Sequence, residues 1–187
     1  MNLTRQLSAS SSGEGGEQVN LRPLELSDAS ELAAAYLRNR EHLEQWEPTR
    51  GDDFFTVAGQ EASIRAKLGH YAAGSEVPWV VIGSRGIQGM ITLTGIVRGP
   101  FQNANLGYWI DRECTGRGLA SGAVAAVVGM ATEELGLHRV QAATLLHNTA
   151  SQAVLSRSGF DRIGVAPAYL HIAGEWQDHL LFQRVLY

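Results

Sequence analysis

The stretch GYWIDRECTGRGLASGA (107–123) constrains the fold more than any other part of this 187-residue chain. It begins as an aromatic run typical of a β-strand, passes through a charged turn with Gly116 and Gly118, and enters a helix of small residues. The first N–H groups of such a helix are unpaired and carry partial positive charge, so the stretch predicts an anion site, usually for phosphate. In the structural alternative, the glycines only permit a tight strand-to-helix turn.

Two common phosphate-binding motifs are absent from this turn. The dinucleotide fingerprint G-x-G-x-x-G fits Gly116 and Gly118, but Ser121 stands at the third glycine position. The end of the following strand, AATL (142–145), lacks the acidic residue that binds a ribose in that motif. The P-loop pattern G-x-x-x-x-G-K-[ST] is not found either. The sequence therefore argues against dinucleotide and nucleoside triphosphate ligands.

The whole sequence predicts the element order β, α, α, β, β, β, α, β, α, β, β. Apolar periodicity and the positions of glycine and proline give the bounds. The predicted helices cover 29–46, 61–74, 119–135 and 149–158. The predicted strands cover 19–26, 104–110 and 138–146, with hairpins in 78–97 and 168–186. This order predicts an α+β (mixed α/β) sheet with helices packed on it.

The start of the chain differs in composition from the rest. Residues 1–18 are polar and rich in glycine and serine, so we expect a disordered tail ahead of a single domain over 19–187. The first helix is expected to begin with a capping box, in which Asp28 and Glu31 satisfy free N–H groups.

Composition narrows the class of protein. The net charge of −4 and the pI near 5.8 argue against direct nucleic-acid binding. The single cysteine, Cys114, excludes an internal disulfide and is expected to be structural. The small and apolar run 118–131 is shorter than the ~20 residues of a membrane-spanning helix. The six histidines show no zinc-site spacing, so no metal is expected. These features favour a cytoplasmic protein without a membrane partner.

Four stretches together resemble the GNAT superfamily of acetyl-CoA-dependent N-acetyltransferases. TGRGLA (115–120) is similar to the family's pyrophosphate loop [Q/R]-x-x-G-x-[G/A], with Thr115 in place of the usual Gln or Arg. LGYWI (106–110) stands where the family's central strand precedes that loop. HNTASQAVLSRSGF (147–160) resembles the segment H-N-x-x-S-x-x-x-L-x-x-x-G-F, and YLHIAGEWQDHLLF (169–182) resembles the closing hairpin.

Two further stretches, NREHLEQWEPTR (39–50) and IVRGPFQNANLGYWI (96–110), resemble the RimJ/RimL branch of ribosomal-protein N-terminal acetyltransferases, RimJ most of all. The resemblance covers roughly residues 19–187. It implies the GNAT fold, a central, mostly antiparallel twisted sheet flanked by helices. It also implies acetyl-CoA as co-substrate, direct transfer to an amine in a ternary complex, and pairing as a homodimer.

The resemblance implies two sets of contacts with the co-substrate. N–H groups of the loop would hold the pyrophosphate, and a free N–H of the central strand would polarise the thioester carbonyl. The implied CoA-binding residues are Tyr108, Trp109, Ile110, Thr115, Gly116, Arg117, Gly118, Leu119, Ala120, Ser121, Asn148 and Ser151. The alternative for the side chains of Tyr108 and Trp109 is filling of the core.

The resemblance also assigns the catalytic residues. Ser151 would protonate the departing thiolate, and Asn148 would hold the pantetheine amide; a plain helix N-cap is the alternative for Asn148. From DRE (111–113) we select Glu113 as the base that takes a proton from the acceptor, with Asp111 and water as alternatives. A weak base suffices for an α-amine, because its pKa of about 7.7–8.0 lies far below the roughly 10.4 of lysine.

The acceptor pocket of the branch is formed by the segment between the first helices and by the last hairpin. The residues at these places are Trp46, Glu47, Arg50, Tyr169 and Trp176, for which core packing and a loop ion pair are the alternatives. The resulting hypothesis is a protein N-terminal acetyltransferase acting on alanine or serine. The alternatives are an acetyltransferase for a small amine (antibiotic, polyamine or amino acid) and a non-catalytic acyl-CoA-binding domain.

Overall fold

The computed structural model describes residues 2–8 and 18–187 of the chain. These residues form one eight-stranded sheet with the order β1-β2-β3-β4-β5-β6-β8-β7. The strands are β1 (Arg5–Ser8), β2 (Gln18–Pro23), β3 (Glu76–Gly83), β4 (Gly86–Val97), β5 (Asn103–Ile110), β6 (Arg139–Leu145), β7 (Asp161–Ile172) and β8 (Glu175–Val185). The helices are α1 (Ala29–Arg38), α2 (Arg40–Leu43), α3 (Val57–Ala72), α4 (Leu119–Glu133) and α5 (Thr149–Arg157).

The sheet is mixed, as the sequence predicts. Its neighbouring strands pair antiparallel, except β5 and β6, which are parallel. In the described part of the chain, no helix has the length and apolar character needed to cross a membrane.

The first strand corrects the prediction of a disordered tail. Residues 5–8 pair with β2, and the side chains of Leu3 and Leu7 are each only 5% exposed. The indole Nε1 of Trp79 donates to the carbonyl of Leu3 at 2.9 Å, which ties this segment to the core. The prediction failed because the segment is mostly polar, although its two leucines belong to the core. The rest of the predicted tail, residues 9–17, lies outside the described residues.

The first helical region also differs from the prediction. It breaks at Asn39, whose side chain donates to the Ala35 carbonyl and accepts from the Arg112 N–H. The capping box predicted for Asp28 and Glu31 is wrong. The Asp28 carboxylate instead accepts hydrogen bonds from the Arg22 guanidinium and the Glu25 N–H, so it makes no cap at α1.

Helices cover both faces of the sheet. Alternate residues of a strand point to opposite faces, so Leu106 and Tyr108 of β5 pack with α4 and α5. Trp109 points to the other face, where it packs with α1 and α3. The two faces thus have separate apolar cores, and β5 contributes to both.

The parallel pair opens partway along its length. β5 and β6 pair only from Asn103 and Arg139 to Leu106 and Ala142, although β5 runs on to Ile110 and β6 runs on to Leu145. Past this point the edges of the two strands face a gap through the sheet. The candidate site lies at this gap.

Candidate active site

The gap between β5 and β6 belongs to a cleft of about 570 Å³. The cleft receives side chains from both faces of the sheet. From the α4/α5 face it is lined by Tyr108, Asn148 and Ser151. From the α1/α3 face it is lined by Trp46, Glu47 and Arg50. Two reactants that enter from opposite faces of the sheet can therefore meet in this gap.

Two hydroxyl groups form a pair on the α4/α5 face. Tyr108 Oη lies 2.8 Å from Ser151 Oγ. Burial raises the pKa of the Tyr108 hydroxyl to about 12, although the hydrogen bond with Ser151 acts in the opposite direction. Both hydroxyls therefore keep their protons at neutral pH, and the pair can donate one to an anion in the gap.

The start of α5 holds Ser151 in place. The Asn148 side chain accepts a hydrogen bond from the Ser151 N–H at 3.0 Å, so Asn148 is the helix N-cap. The helix N-cap expected as the alternative role of Asn148 is therefore present. It fixes the position of Ser151, the residue expected to donate the proton. Asn148 also lines the cleft, so the cap leaves it within reach of a ligand.

Trp109 anchors the open strand. Its Nε1 donates to Tyr36 Oη at 2.9 Å, and the two rings pack with centroids 4.9 Å apart. The side chain is only 8% exposed, so core packing, the structural alternative, holds for it. Ile110 is buried in the opposite core. The backbone of this segment, rather than its Trp109 and Ile110 side chains, is what remains for a ligand in the gap.

The glycine turn leads from β5 into α4. Gly116 and Gly118 have φ angles of +74° and +79°, and Gly118 is the N-cap of α4. A Cβ added at either glycine would meet no atom within 4 Å, so the loop backbone faces open space. Thr115, Arg117 and the two glycines are exposed, whereas Leu119 is buried in the core and Ala120 and Ser121 are half-buried. The loop therefore fits the approach of a phosphate to its N–H groups.

A second feature fits a polar ligand on the same face. The hydroxyl of Thr144 on β6 is buried and has no hydrogen-bond partner within the part of the chain that the structure describes. Thr144 lies beyond the end of the β5–β6 pairing and lines the cleft. A buried hydroxyl without a partner is costly, so a ligand group in the gap would stabilise it.

The acidic turn after β5 is mainly structural. Asp111 caps the 3₁₀ turn Arg112–Cys114 and accepts a hydrogen bond from Arg38 Nε at 2.6 Å. Burial would raise the pKa of Asp111, but hydrogen bonds from Arg38, Asn39 and Glu113 outweigh it and lower the pKa. Such a carboxylate is a weak base, so the structure disfavours Asp111 as the proton acceptor.

Glu113 lies outside the cleft. Its carboxylate forms an ion pair with Arg85, and the side chain is 62% exposed. The structure therefore does not bring Glu113 together with the Tyr108–Ser151 hydroxyl pair. Cys114, next in sequence, is buried in the core.

Three of the five residues expected at the acceptor pocket line the cleft. Trp46 stacks against His147 with centroids 5.3 Å apart, and Arg50 lies 3.9 Å from the Glu47 carboxylate and over the Phe54 ring. Burial raises the pKa of Glu47, and the charges of Arg50 and Lys67 only partly oppose this. Glu47 thus places a poorly solvated carboxylate in the cleft.

The two predicted residues of the last hairpin do not line this cleft. Tyr169 lines an adjoining groove of about 400 Å³ on the sheet. Trp176 is 67% exposed and stacks against His171, so the structure does not bring it into the cleft.

Sequence reasoning missed several polar residues of the cleft, among them Lys67, Glu76 and His179. Lys67 Nζ and Glu76 Oε1 are 2.8 Å apart. His179 is 3% exposed on a strand whose next residues are apolar, and a buried polar residue at such a place is the signal that could have identified it. Within residues 2–8 and 18–187, no cluster of three histidine, cysteine or acidic residues could hold a metal ion.

Comparisons with known proteins agree with this geometry. Residues 18–161 match the family described as Acetyltransferase (GNAT) domain. The chain is 34% identical to the probable N-acetyltransferase YjcK of Bacillus subtilis over 166 residues, which is 88% of this chain and 92% of that protein. It is 33% identical to the [ribosomal protein uS5]-alanine N-acetyltransferase of Escherichia coli over 82% of this chain and 80% of that protein.

A solved structure of Mycobacterium smegmatis RimJ in complex with CoA-disulfide superposes with a TM-score of 0.90 at 29% identity, covering 97% of this chain and 86% of that one. The expected fold is confirmed, and a family that transfers acetyl groups accounts for a gap lined by proton donors and a loop open to phosphate. The chain belongs to the GNAT family of acetyltransferases and is an N-acetyltransferase.

Proposed function

We propose that this protein transfers the acetyl group of acetyl-CoA to the α-amine of a protein N-terminus that begins with alanine or serine. The observation that carries the proposal is the gap between β5 and β6, with the Tyr108–Ser151 hydroxyl pair on one face and Glu47 and Arg50 on the other. Acetyl-CoA occupies the α4/α5 face and the acceptor occupies the α1/α3 face. Both are bound at once, and the amine attacks the thioester directly.

The loop between β5 and α4 binds the pyrophosphate in this proposal. N–H groups from Thr115 to Ser121 point to the phosphate oxygens, and Arg117 adds a positive charge. The N–H groups of β5 beyond Leu106 hold the thioester carbonyl, whose oxygen becomes negative as the amine attacks. A fixed donor of this kind contributes about 3–4 kcal/mol to transition-state stabilisation.

The hydroxyl pair completes the reaction on the CoA side. As the C–S bond breaks, the thiolate takes a proton from the pair of Tyr108 and Ser151. The pair regains a proton from the nitrogen of the new amide. The raised pKa of Tyr108 supports this role, because the donor stays protonated over the pH range in which an α-amine is the nucleophile.

The similarity to ribosomal-protein-alanine N-acetyltransferases supports a protein acceptor. Trp46, Glu47 and Arg50 surround the amine in this proposal, and the Glu47 carboxylate attracts its positive charge. A homodimer and a cytoplasmic location stay predictions from the sequence.

The test is acetyl-CoA-dependent release of free thiol with a panel of acceptors. We expect turnover with peptides that start with alanine or serine, and none with the same peptides blocked at the N-terminus but carrying an internal lysine. Turnover with polyamines or aminoglycosides only would support the small-amine alternative and contradict the proposal. Binding of CoA without turnover on any acceptor would support the non-catalytic alternative.

A further inference from the structure

His179 on β8 lies on the acceptor face of the gap. It pairs with Leu145 of β6, and directly opposed residues of an antiparallel pair point to the same face. The next pair along, Thr144 and Leu180, points to the α4/α5 face, where Leu180 belongs to the core. His179 therefore points to the α1/α3 face, opposite to the Tyr108–Ser151 hydroxyl pair, and its side chain lines the cleft.

His179 also lies at the right level along the strands. The β5–β6 pairing ends at Leu106 and Ala142, so Trp109 and Leu145 are each three residues further on. Because parallel strands advance in step, Trp109 stands across the gap from Leu145 and, through it, from His179. This is the segment of β5 whose N–H groups are proposed to hold the thioester carbonyl. The imidazole therefore stands at the level where the amine must attack.

The hydrogen bond of His179 determines which nitrogen is free. Its Nδ1 lies 2.9 Å from the carbonyl oxygen of Gln177. A carbonyl oxygen can only accept, so Nδ1 carries the proton and donates it. In the neutral imidazole the proton-free nitrogen is then Nε2, which has a lone pair. Across residues 2–8 and 18–187, no hydrogen-bond partner occupies this Nε2.

We propose that His179 is the general base that removes the first proton from the acceptor ammonium. This inference rests on the acetyl transfer proposed above. The N–H bond of the ammonium breaks, and Nε2 takes the proton to give an imidazolium, stabilised through Nδ1–H by the Gln177 carbonyl. The free amine then attacks the thioester carbon, and the C–S electron pair leaves with sulfur.

The two protons that the acceptor nitrogen loses leave from opposite faces of the sheet. The second proton of the amine nitrogen passes through the hydroxyl pair to the thiolate, giving CoA-SH. The proton on His179 passes to water through the open cleft. The net products are an acetylated amine, CoA-SH and one released proton, and no further reactant is needed.

Several charged or titratable groups share the cleft and its walls with His179. The Tyr169 ring of β7 lies 5.7 Å from the imidazole. The other titratable or charged residues that line the cleft are Glu47 and Arg50 after α2, Lys67 and His70 of α3, Glu76 of β3 and Tyr108 of β5. A pH experiment must therefore isolate His179 by comparing variants over the same pH range.

The experiment compares kcat/KM of wild type and His179→Asn with an alanine-starting peptide. The asparagine amide can still donate to the Gln177 carbonyl but cannot accept a proton. We expect a loss of about 100-fold near pH 6.5, where most α-amines are protonated. The loss should shrink to less than about tenfold near pH 9, where the α-amine is already free. A loss that is the same at both pH values would overturn the proposal, because a merely structural role is independent of the protonation of the acceptor.

A control variant, a substitute variant and a separate NMR measurement complete the experiment. His171→Asn, on the exposed face of the same hairpin, should match wild type at both pH values. His179→Gln replaces His179→Asn if that variant unfolds, as judged by circular dichroism. Nitrogen-15 NMR of the neutral imidazoles in the wild-type protein should show His179 with a proton on Nδ1 and none on Nε2. A proton on Nε2 alone would contradict the assignment without any activity measurement.

Failure of the proposed acceptor is distinguishable from failure of the base. If wild type acetylates only a small amine, the acceptor is wrong, and the same comparison is made below and above the pKa of that amine. A pH-dependent loss then still supports His179. If wild type acetylates no amine, no proton transfer takes place and the proposal for His179 falls as well.

Discussion

Tyr108 Oη and Ser151 Oγ lie 2.8 Å apart, although the two residues are 43 positions apart in sequence. One comes from the open end of β5 and the other from the first turn of α5. Their contact joins two segments that line the cleft from the α4/α5 face.

The hydroxyl pair predicts a shared catalytic role. We expect Ser151→Ala and Tyr108→Phe each to lower kcat by about 100-fold, in the range typical of a lost general acid. The double variant should lose little more than the worse single variant, because the two groups act as one unit. Steady-state thiol release measures this. Losses that multiply in the double variant would show that the two hydroxyls act independently.

The close approach of β4 to β5 at Gly89 leaves no room for a side chain at this position. A Cβ at this position would lie 2.5 Å from the Trp109 carbonyl oxygen, so β4 and β5 would have to separate. We expect Gly89→Ala to lower the free energy of unfolding by about 1–3 kcal/mol and to reduce turnover as well, because it displaces the strand that borders the gap. Urea unfolding and thiol release measure the two effects.

The control for this change is Gly129→Ala in α4, where an added Cβ meets no atom within 4 Å. Alanine is the better helix former, so this variant should be unchanged or up to about 1 kcal/mol more stable. A Gly89→Ala protein as stable and active as Gly129→Ala would contradict the close approach of the two strands.

The Arg38–Asp111 ion pair predicts a pH-dependent contribution to stability. The pKa of Asp111 is lowered in the folded protein, so its carboxylate stabilises the fold above the unfolded-state pKa. This contribution is lost as the pH falls through the folded-state pKa. Asp111→Asn should therefore cost about 2 kcal/mol at pH 7, as expected for charge-assisted hydrogen bonds.

The measurement is the difference in unfolding free energy between wild type and Asp111→Asn from neutral to acid pH. The difference should narrow as the pH falls. The exposed Asp161→Asn at the start of β7 serves as the matched control and should stay within about 0.5 kcal/mol of wild type at every pH. A constant difference for Asp111→Asn would show that the carboxylate charge does not matter.

We expect the Glu47 carboxylate to contribute to binding of the acceptor. Burial raises the pKa of this carboxylate, which lines the cleft beside Arg50. Removing its charge with Glu47→Gln should raise KM for an alanine-starting peptide about tenfold, with a much smaller change in kcat and in KM for acetyl-CoA. As the pH falls, wild-type Glu47 becomes protonated and the two proteins should converge in KM. An unchanged peptide KM would remove Glu47 from the acceptor site.

The local features of the site were predictable from the sequence. Gly116 and Gly118 mark a turn into a helix, and Asn148 marks the start of α5, because backbone conformation and capping are decided by residues within one or two turns. The same locality explains the correct order of the elements from β2 to β8. The first strand was missed because residues 5–8 become a strand only by pairing with β2 and burying Leu3 and Leu7.

The proposed base, His179, could not be identified in this way. The family resemblance favoured Glu113, which lies just after the central strand, yet its side chain points to solvent and pairs with Arg85. His179 is 71 residues beyond Tyr108 in sequence, and it comes to the same gap only because β8 pairs with β6 in one particular register. A shift of one residue in that register would turn His179 to the opposite face of the sheet.

The sequence by itself thus determined the order of the elements, the glycine turn before α4 and the start of the helix that carries Ser151, since these depend on short-range conformational preferences. The tertiary structure alone decided which titratable side chains reach the gap and from which face. Strand register and the opening between β5 and β6 arise from contacts between distant segments. These contacts place Tyr108 with Ser151 on one side of the sheet and His179 on the other.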